Sequence, residues 1–211
     1  MLTYLFDACA AVEFYLPRDQ RCRNAVQYIL DQKTDNAAAL FIPNICIPEV
    51  FNTFAKWRFA PKDSNEWIDE QPYKQCVDTF RNDIHWGKTL YPYDLNRYHI
   101  LATDKIVLAE HHLHRREVYD RLSTFDILII AMACELAYIG QRDDTFLVTC
   151  DKRLSKVCER LREFDFSDGI IQGPLGEPPD KNRWKPPTCL YLPALKRGEL
   201  RNVPGQTQFN Y

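Results

Sequence analysis

The sequence predicts an α/β fold, a three-layer α/β/α sandwich around a central, mainly parallel sheet. Short apolar runs alternate along the chain with longer segments of helical length and periodicity. Each of the three clearest runs is followed within a few residues by a helix, which implies right-handed crossovers and a sheet covered on both faces. The 211 residues, 45% of them hydrophobic, suffice for one core that buries roughly 70% of the unfolded surface.

The elements follow in order. Leu2–Phe6 is a buried strand stopped by Asp7. Ala8–Leu16 and Gln20–Lys33 read as helices separated by Pro17, with Asp19 as an N-cap. Ala39–Ile45 (ALFIPNI) is a second strand. Pro48 and Glu49 then open an amphipathic helix with Val50, Phe51, Phe54 and Trp57 near one face. Residues 61–72 are polar, bounded by prolines, and form a loop. Tyr73–Ile84 is helical, Thr89–Tyr93 is β-prone, and Leu95–Arg116 is a long helix ending in His111, His112, His114, Arg115 and Arg116. Thr124–Ile139 is a strongly apolar helix ended by Gly140. Thr145–Cys150 (TFLVTC) is the third strand, Lys152–Arg162 a basic amphipathic helix, residues 173–188 a Pro-rich loop, and Cys189–Leu192 a last strand. The domain spans residues 1–172, with helical material inserted near 61–95. Residues 173–211 form a Pro-rich, basic extension.

Composition removes several classes of function. Lys and Arg number 27 against 29 Asp and Glu, a net charge of −2, so the chain is neither a basic nucleic-acid coat nor an acidic tail. GxGxxG and GxxxxGK[ST] are absent from the sequence. The N-terminal stretch lacks a basic region and carries Asp7, which argues against a secretory signal. The apolar stretch Ile127–Ile139 is too short to span a membrane and contains Glu135. Eight cysteines occur without a CxxC pair, several inside apolar stretches, so they read as reduced hydrophobic residues in a cytoplasmic protein.

The chemistry lies in the acids. Asp7 follows the first strand, Asp151 the third, and Glu49 begins the helix after the second. In a parallel sheet the strands' C-terminal ends share one edge, where ligands of such folds sit. Asp126 is a fourth candidate, in the first turn of the apolar helix, although strand order alone does not bring it to the others. Each acid also suits a helix's first turn, and Asp126 suits a capping arrangement with Ser123. Clustered carboxylates repel and require protons or a cation. Oxygen donors suit Mg²⁺ or Mn²⁺, and such a set points to metal-assisted phosphodiester hydrolysis.

Four segments carry a resemblance: LTYLFDACAAVEFYL around Asp7, IPEVFNTFAKW around Glu49, FDILIIAMACELA around Asp126 and FLVTCDKRL around Asp151. In that order, across about residues 2–160, the pattern resembles a PIN domain, a family of metal-dependent nucleases that includes bacterial toxin ribonucleases. The resemblance implies Asp7, Glu49, Asp126 and Asp151 as catalytic ligands of Mg²⁺ or Mn²⁺, with Thr149 supporting them by hydrogen bonding. It implies RNA cleavage, and as partners a second copy of the chain in a homodimer and an antitoxin. Cys9 departs from the Ser or Thr common in the family two residues after the first Asp.

The helix after Asp151 carries Lys152, Arg153, Lys156, Arg160 and Arg162. Lys152, Arg153 and Lys156, next to the acids, are the candidates for holding an RNA backbone. Residues 181–211 hold six basic residues (Lys181, Arg183, Lys185, Lys196, Arg197, Arg201) against Glu199. Trp184, Tyr191, Phe209 and Tyr211 lie among them, a mixture that suits phosphates and bases or a solvated tail. The histidines at 111, 112 and 114 read as an exposed helix end. Asp143 and Asp144 fall at the third strand's opposite end, and Asp165 and Asp168 on a surface loop. Two other functions compete. In a phosphatase of the haloacid dehalogenase type Asp7 would be the nucleophile, but Cys9 stands where that chemistry wants a second Asp. The other is a non-catalytic module that binds RNA or protein.

Overall fold

The computed structural model describes residues 1–34, 37–114, 121–140, 144–163 and 185–195. Five strands form one sheet, all parallel, in the order β3-β2-β1-β4-β5: β1 Leu2–Phe6, β2 Ala38–Pro43, β3 Tyr91–Tyr93, β4 Thr145–Thr149 and β5 Thr188–Tyr191. Helices flank the sheet, so the chain is an α/β/α sandwich. They are α1 Ala8–Tyr15, α2 Gln20–Thr34, α3 Ile47–Arg58, α4 Glu70–Trp86, α5 Arg97–His114, α6 Thr124–Ile139 and α7 Lys152–Glu163. In this order the chain builds outward from β1 through β2 to β3, then returns to lay β4 on the other side of β1. The crevice between the C-terminal ends of β1 and β4 is therefore the switch point of the sheet.

Burial explains the strand sequences. All five residues of β4 are buried, and four of five in β1, because central parallel strands are covered on both faces. Leu5, Phe6, Leu40, Ile42, Leu147 and Val148 are fully enclosed. Edge strand β3 (YPY) is mostly exposed, which suits a strand containing Pro92. Helix α6 is buried nearly all round because α5 packs on it, the environment expected of a uniformly apolar helix.

The second strand ends at Pro43, two residues before its sequence-based limit. Asn44–Cys46 instead forms a 3₁₀ turn, and the Asn44 side chain bonds Asp94 and the Leu95 amide. The helix expected over 73–84 starts earlier and runs longer, as α4. Strand β5 pairs with β4, so the segment 173–211 supplies an edge strand to the sheet. Arg162 Nη1 donates to Thr188 Oγ1 at 2.7 Å and fixes α7 to that strand. Gly140 ends α6 as expected, with an extended backbone (φ −83°, ψ −161°) rather than a left-handed one. Gly87 instead ends α4 with a left-handed cap at φ +57°. A Cβ at Gly87 would sit 3.0 Å from the Tyr91 ring. Gly87→Ala should therefore cost about 1–2 kcal/mol, read as a lower midpoint in chemical denaturation.

One polar cluster lies within this core. His99 and Glu135 are buried and in contact. Tyr93 donates to Glu135 Oε2 at 2.6 Å, and Asn96 Nδ2 donates at 3.2 Å. The Asn96 amide donates to His99 Nδ1. Burial works to raise the Glu135 pKa, but His99, Tyr93 and Asn96 outweigh it and hold the carboxyl below its usual range. Among the described residues no helix is long and apolar enough to cross a membrane.

Candidate functional site: a carboxylate chain at the sheet switch point

Asp7 follows β1 directly and caps α1, its Oδ1 accepting from the Ala10 amide at 2.7 Å. Its own amide donates to Val148 O at 3.0 Å, which places it beside the end of β4. There the Thr149 hydroxyl donates to Asp7 Oδ2, while Thr149 Oγ1 accepts from the Asp151 amide at 2.8 Å. Thr149, fully buried, thus couples the two acids through one oxygen. The Cys9 thiol donates to Asp7 at 3.0 Å. Asp7 is only 4% exposed, and burial pushes its pKa from 3.8 up to about 6. The bonds from Thr149, Ala10 and Cys9 work against the rise, and the Asp151 charge adds to it.

Asp151 heads α7, its Oδ1 accepting from the Arg153 amide at 2.7 Å and the Leu154 amide at 3.3 Å. Asp126 closes a capping box with Ser123: the Ser123 hydroxyl accepts from the Asp126 amide, and Asp126 Oδ2 accepts from the Ser123 amide at 2.9 Å. The capping arrangement foreseen for this pair is therefore real. Glu49 lies in the first turn of α3, exposed at the rim. Partial loss of solvent around its carboxyl, with the charge of Asp126, raises its pKa.

Arg153 joins the two halves. Its Nη2 donates to Asp126 Oδ2 at 3.2 Å and to Asp151 Oδ2 at 3.3 Å, while Nη1 donates to Arg121 O at 3.0 Å. The acids form a chain: Asp7 feels Asp151, Arg153 ties Asp151 to Asp126, and Asp126 feels Glu49. Buried Cys46 lies within the fields of Asp7, Glu49 and Asp126 together. The structure thus brings Asp126, which strand order could not place, to the other acids. Lys152 and Lys156 are exposed on α7, whereas Arg153 faces the carboxylates. Sequence reading grouped Arg153 with the lysines because its spacing from Asp151 does not show which way the guanidinium turns.

Oxygen donors of this kind fit a hard divalent cation, and burial of Asp7 disfavours its ionised form, a cost that a bound cation would offset. As the side chains stand, no group of three or more His, Cys, Asp or Glu among the described residues is arranged to hold a metal ion. Asp126 is engaged with Ser123, and the Arg153 guanidinium supplies positive charge between Asp126 and Asp151. Asp144 lies at the other edge of the sheet, 3.9 Å from the N-terminal amine. Side chains of His112 and His114, and residues Arg115, Arg116, Asp143, Asp165, Asp168, Lys181, Arg183, Trp184, Lys196, Arg197, Glu199, Arg201, Phe209 and Tyr211, fall outside the described residues.

No protein-family model and no curated protein matches the chain. Three chains of solved structures do match. One belongs to a crystal structure of VapBC2 from Rickettsia felis bound to a DNA fragment from their promoter. It is 13% identical, with a TM-score of 0.46, covering 74% of this chain and 93% of that one. A likeness this distant carries no functional argument.

Proposed function

We propose that the protein is a Mg²⁺- or Mn²⁺-dependent endoribonuclease acting on single-stranded or structured RNA. The observation that carries this reading is the chain of four carboxylates at the switch point, with Asp7 buried and its pKa raised to about 6. The motif resemblance to PIN domains supports RNA as the substrate. Asp7, Asp151, Asp126 and Glu49 would hold the cation, which when bound polarises the phosphodiester and lowers the pKa of an attacking water. Thr149, Cys9 and the Ala10 amide orient Asp7. Arg153 limits repulsion between Asp126 and Asp151, and exposed Lys152 and Lys156 hold the phosphate backbone. The reading extends to a toxin component working as a homodimer and neutralised by an antitoxin. It takes residues 1–172, completed by β5, as the nuclease domain.

The test uses a mixed-sequence RNA with Mn²⁺, with EDTA, and with Asp151→Asn plus Mn²⁺. Cleavage is expected only in the first sample, and equal cleavage in all three would sink the proposal. A second reading, a non-catalytic binding module, is favoured by the Arg153 guanidinium already lying among the acids. That reading expects RNA retention in a gel-shift assay, no cleavage, and no rise in Tm with millimolar Mn²⁺.

A further inference from the structure

Six of the eight cysteines are buried, while Cys9 and Cys150 are half-buried. These two are neighbours across the switch point. Cys9 stands in the first turn of α1 and Cys150 between β4 and α7. The Cys150 amide donates to Cys9 Sγ at 3.0 Å, which sets the two residues side by side. Cys22, on α2, lies near Cys150 but is itself only 2% exposed. A second neighbouring pair, Cys158 and Cys189, is sealed inside the core. The two cysteines that are not fully buried are therefore neighbours.

We propose that Cys9 and Cys150 form a peroxide-sensitive oxidation site, closing a reversible disulfide across the carboxylate edge. A hydroperoxide transfers one oxygen to Cys150 Sγ, giving the sulfenic acid and releasing the corresponding alcohol or water. Cys9 Sγ then attacks that sulfur, the S–O bond breaks, and the hydroxyl leaves as water with the Cys9 proton. Two thiols are oxidised by two electrons and one peroxide is reduced. Helix α1 and the β4–α7 junction are already in contact here, and a disulfide requires its sulfurs to approach about 2.05 Å. The bond would take from Asp7 the S–H donor that Cys9 supplies and tie α1 to the junction. The inference does not depend on the nuclease reading.

The experiment treats the reduced full chain with a small molar excess of hydrogen peroxide, alkylates the remaining thiols and maps the peptides by mass spectrometry. The expected product has lost two hydrogens, contains one peptide pair linked through residues 9 and 150, and reverts with dithiothreitol. Cys9→Ser and Cys150→Ser should each abolish that link. If either variant fails to fold, the wild-type peptide map alone decides. Absence of a linked pair, a link through Cys22, or thiols carried only to sulfinic or sulfonic acids would overturn the proposal.

Discussion

Asp7→Asn should abolish RNA cleavage while making the protein more stable at neutral pH. Changes to groups that merely support metal ligands cost roughly 10–100-fold in affinity or activity. Loss of Asp7 itself should cost at least about 10²-fold by the same measure. The stability change has the opposite sign because this carboxylate is buried, with its pKa raised from 3.8 to about 6. Between those values the folded chain keeps a proton that the unfolded chain has released. Stability therefore falls as pH rises through that window, by on the order of 3 kcal/mol once both forms are ionised. Asn carries no such charge, and its side-chain oxygen can still accept from the Ala10 amide. Denaturation midpoints of the two proteins should coincide near the acid end and separate toward neutrality, with the variant higher. A variant that cleaves RNA normally, or one that shows the wild-type pH slope, would contradict the role given to Asp7.

Glu135→Ala should be the most damaging single change to the fold outside the large apolar side chains. Glu135 accepts from Tyr93 and Asn96 and contacts buried His99. Truncation leaves those polar groups enclosed without their acceptor, and losing one partner of a buried pair costs about 3–5 kcal/mol. For a chain of this size that corresponds to a fall in Tm of roughly 6–20 °C. Glu135→Gln keeps an acceptor oxygen and should lose less. The pH dependence is opposite to that of Asp7. Glu135's lowered pKa gives stability that is present above the usual carboxylate range and lost as pH falls through the folded value.

These two acids show where sequence reading succeeds and where it stops. Asp7 was legible as a site residue because it directly follows a buried strand, and a parallel sheet then fixes the edge on which it lies. Glu135 interrupts an apolar helix and gave no sign of its partners. Tyr93, Asn96 and His99 are about forty residues away, and no local period links them to it. Asp126 was legible as a cap from its spacing to Ser123, but its approach to Asp151 depends on Arg153. Cys9 read as a departure from a family pattern. In the structure its thiol donates to Asp7 and accepts from the Cys150 amide.

By itself the sequence determined the α/β class, the alternation of strands and helices, and the positions of Asp7, Asp151 and Glu49 just beyond strands. Those properties follow from apolar periodicity and strand-to-helix junctions, which are local. Only the tertiary structure decided the order β3-β2-β1-β4-β5. By setting β4 beside β1, that order lets Thr149 bond both Asp7 and Asp151 although the acids lie 144 positions apart in sequence. It also decided that Arg153 turns toward Asp126 and Asp151, and that Cys9 meets Cys150. Strand neighbours and side-chain directions are chosen by packing and charge across the whole fold, and a short stretch of sequence contains neither.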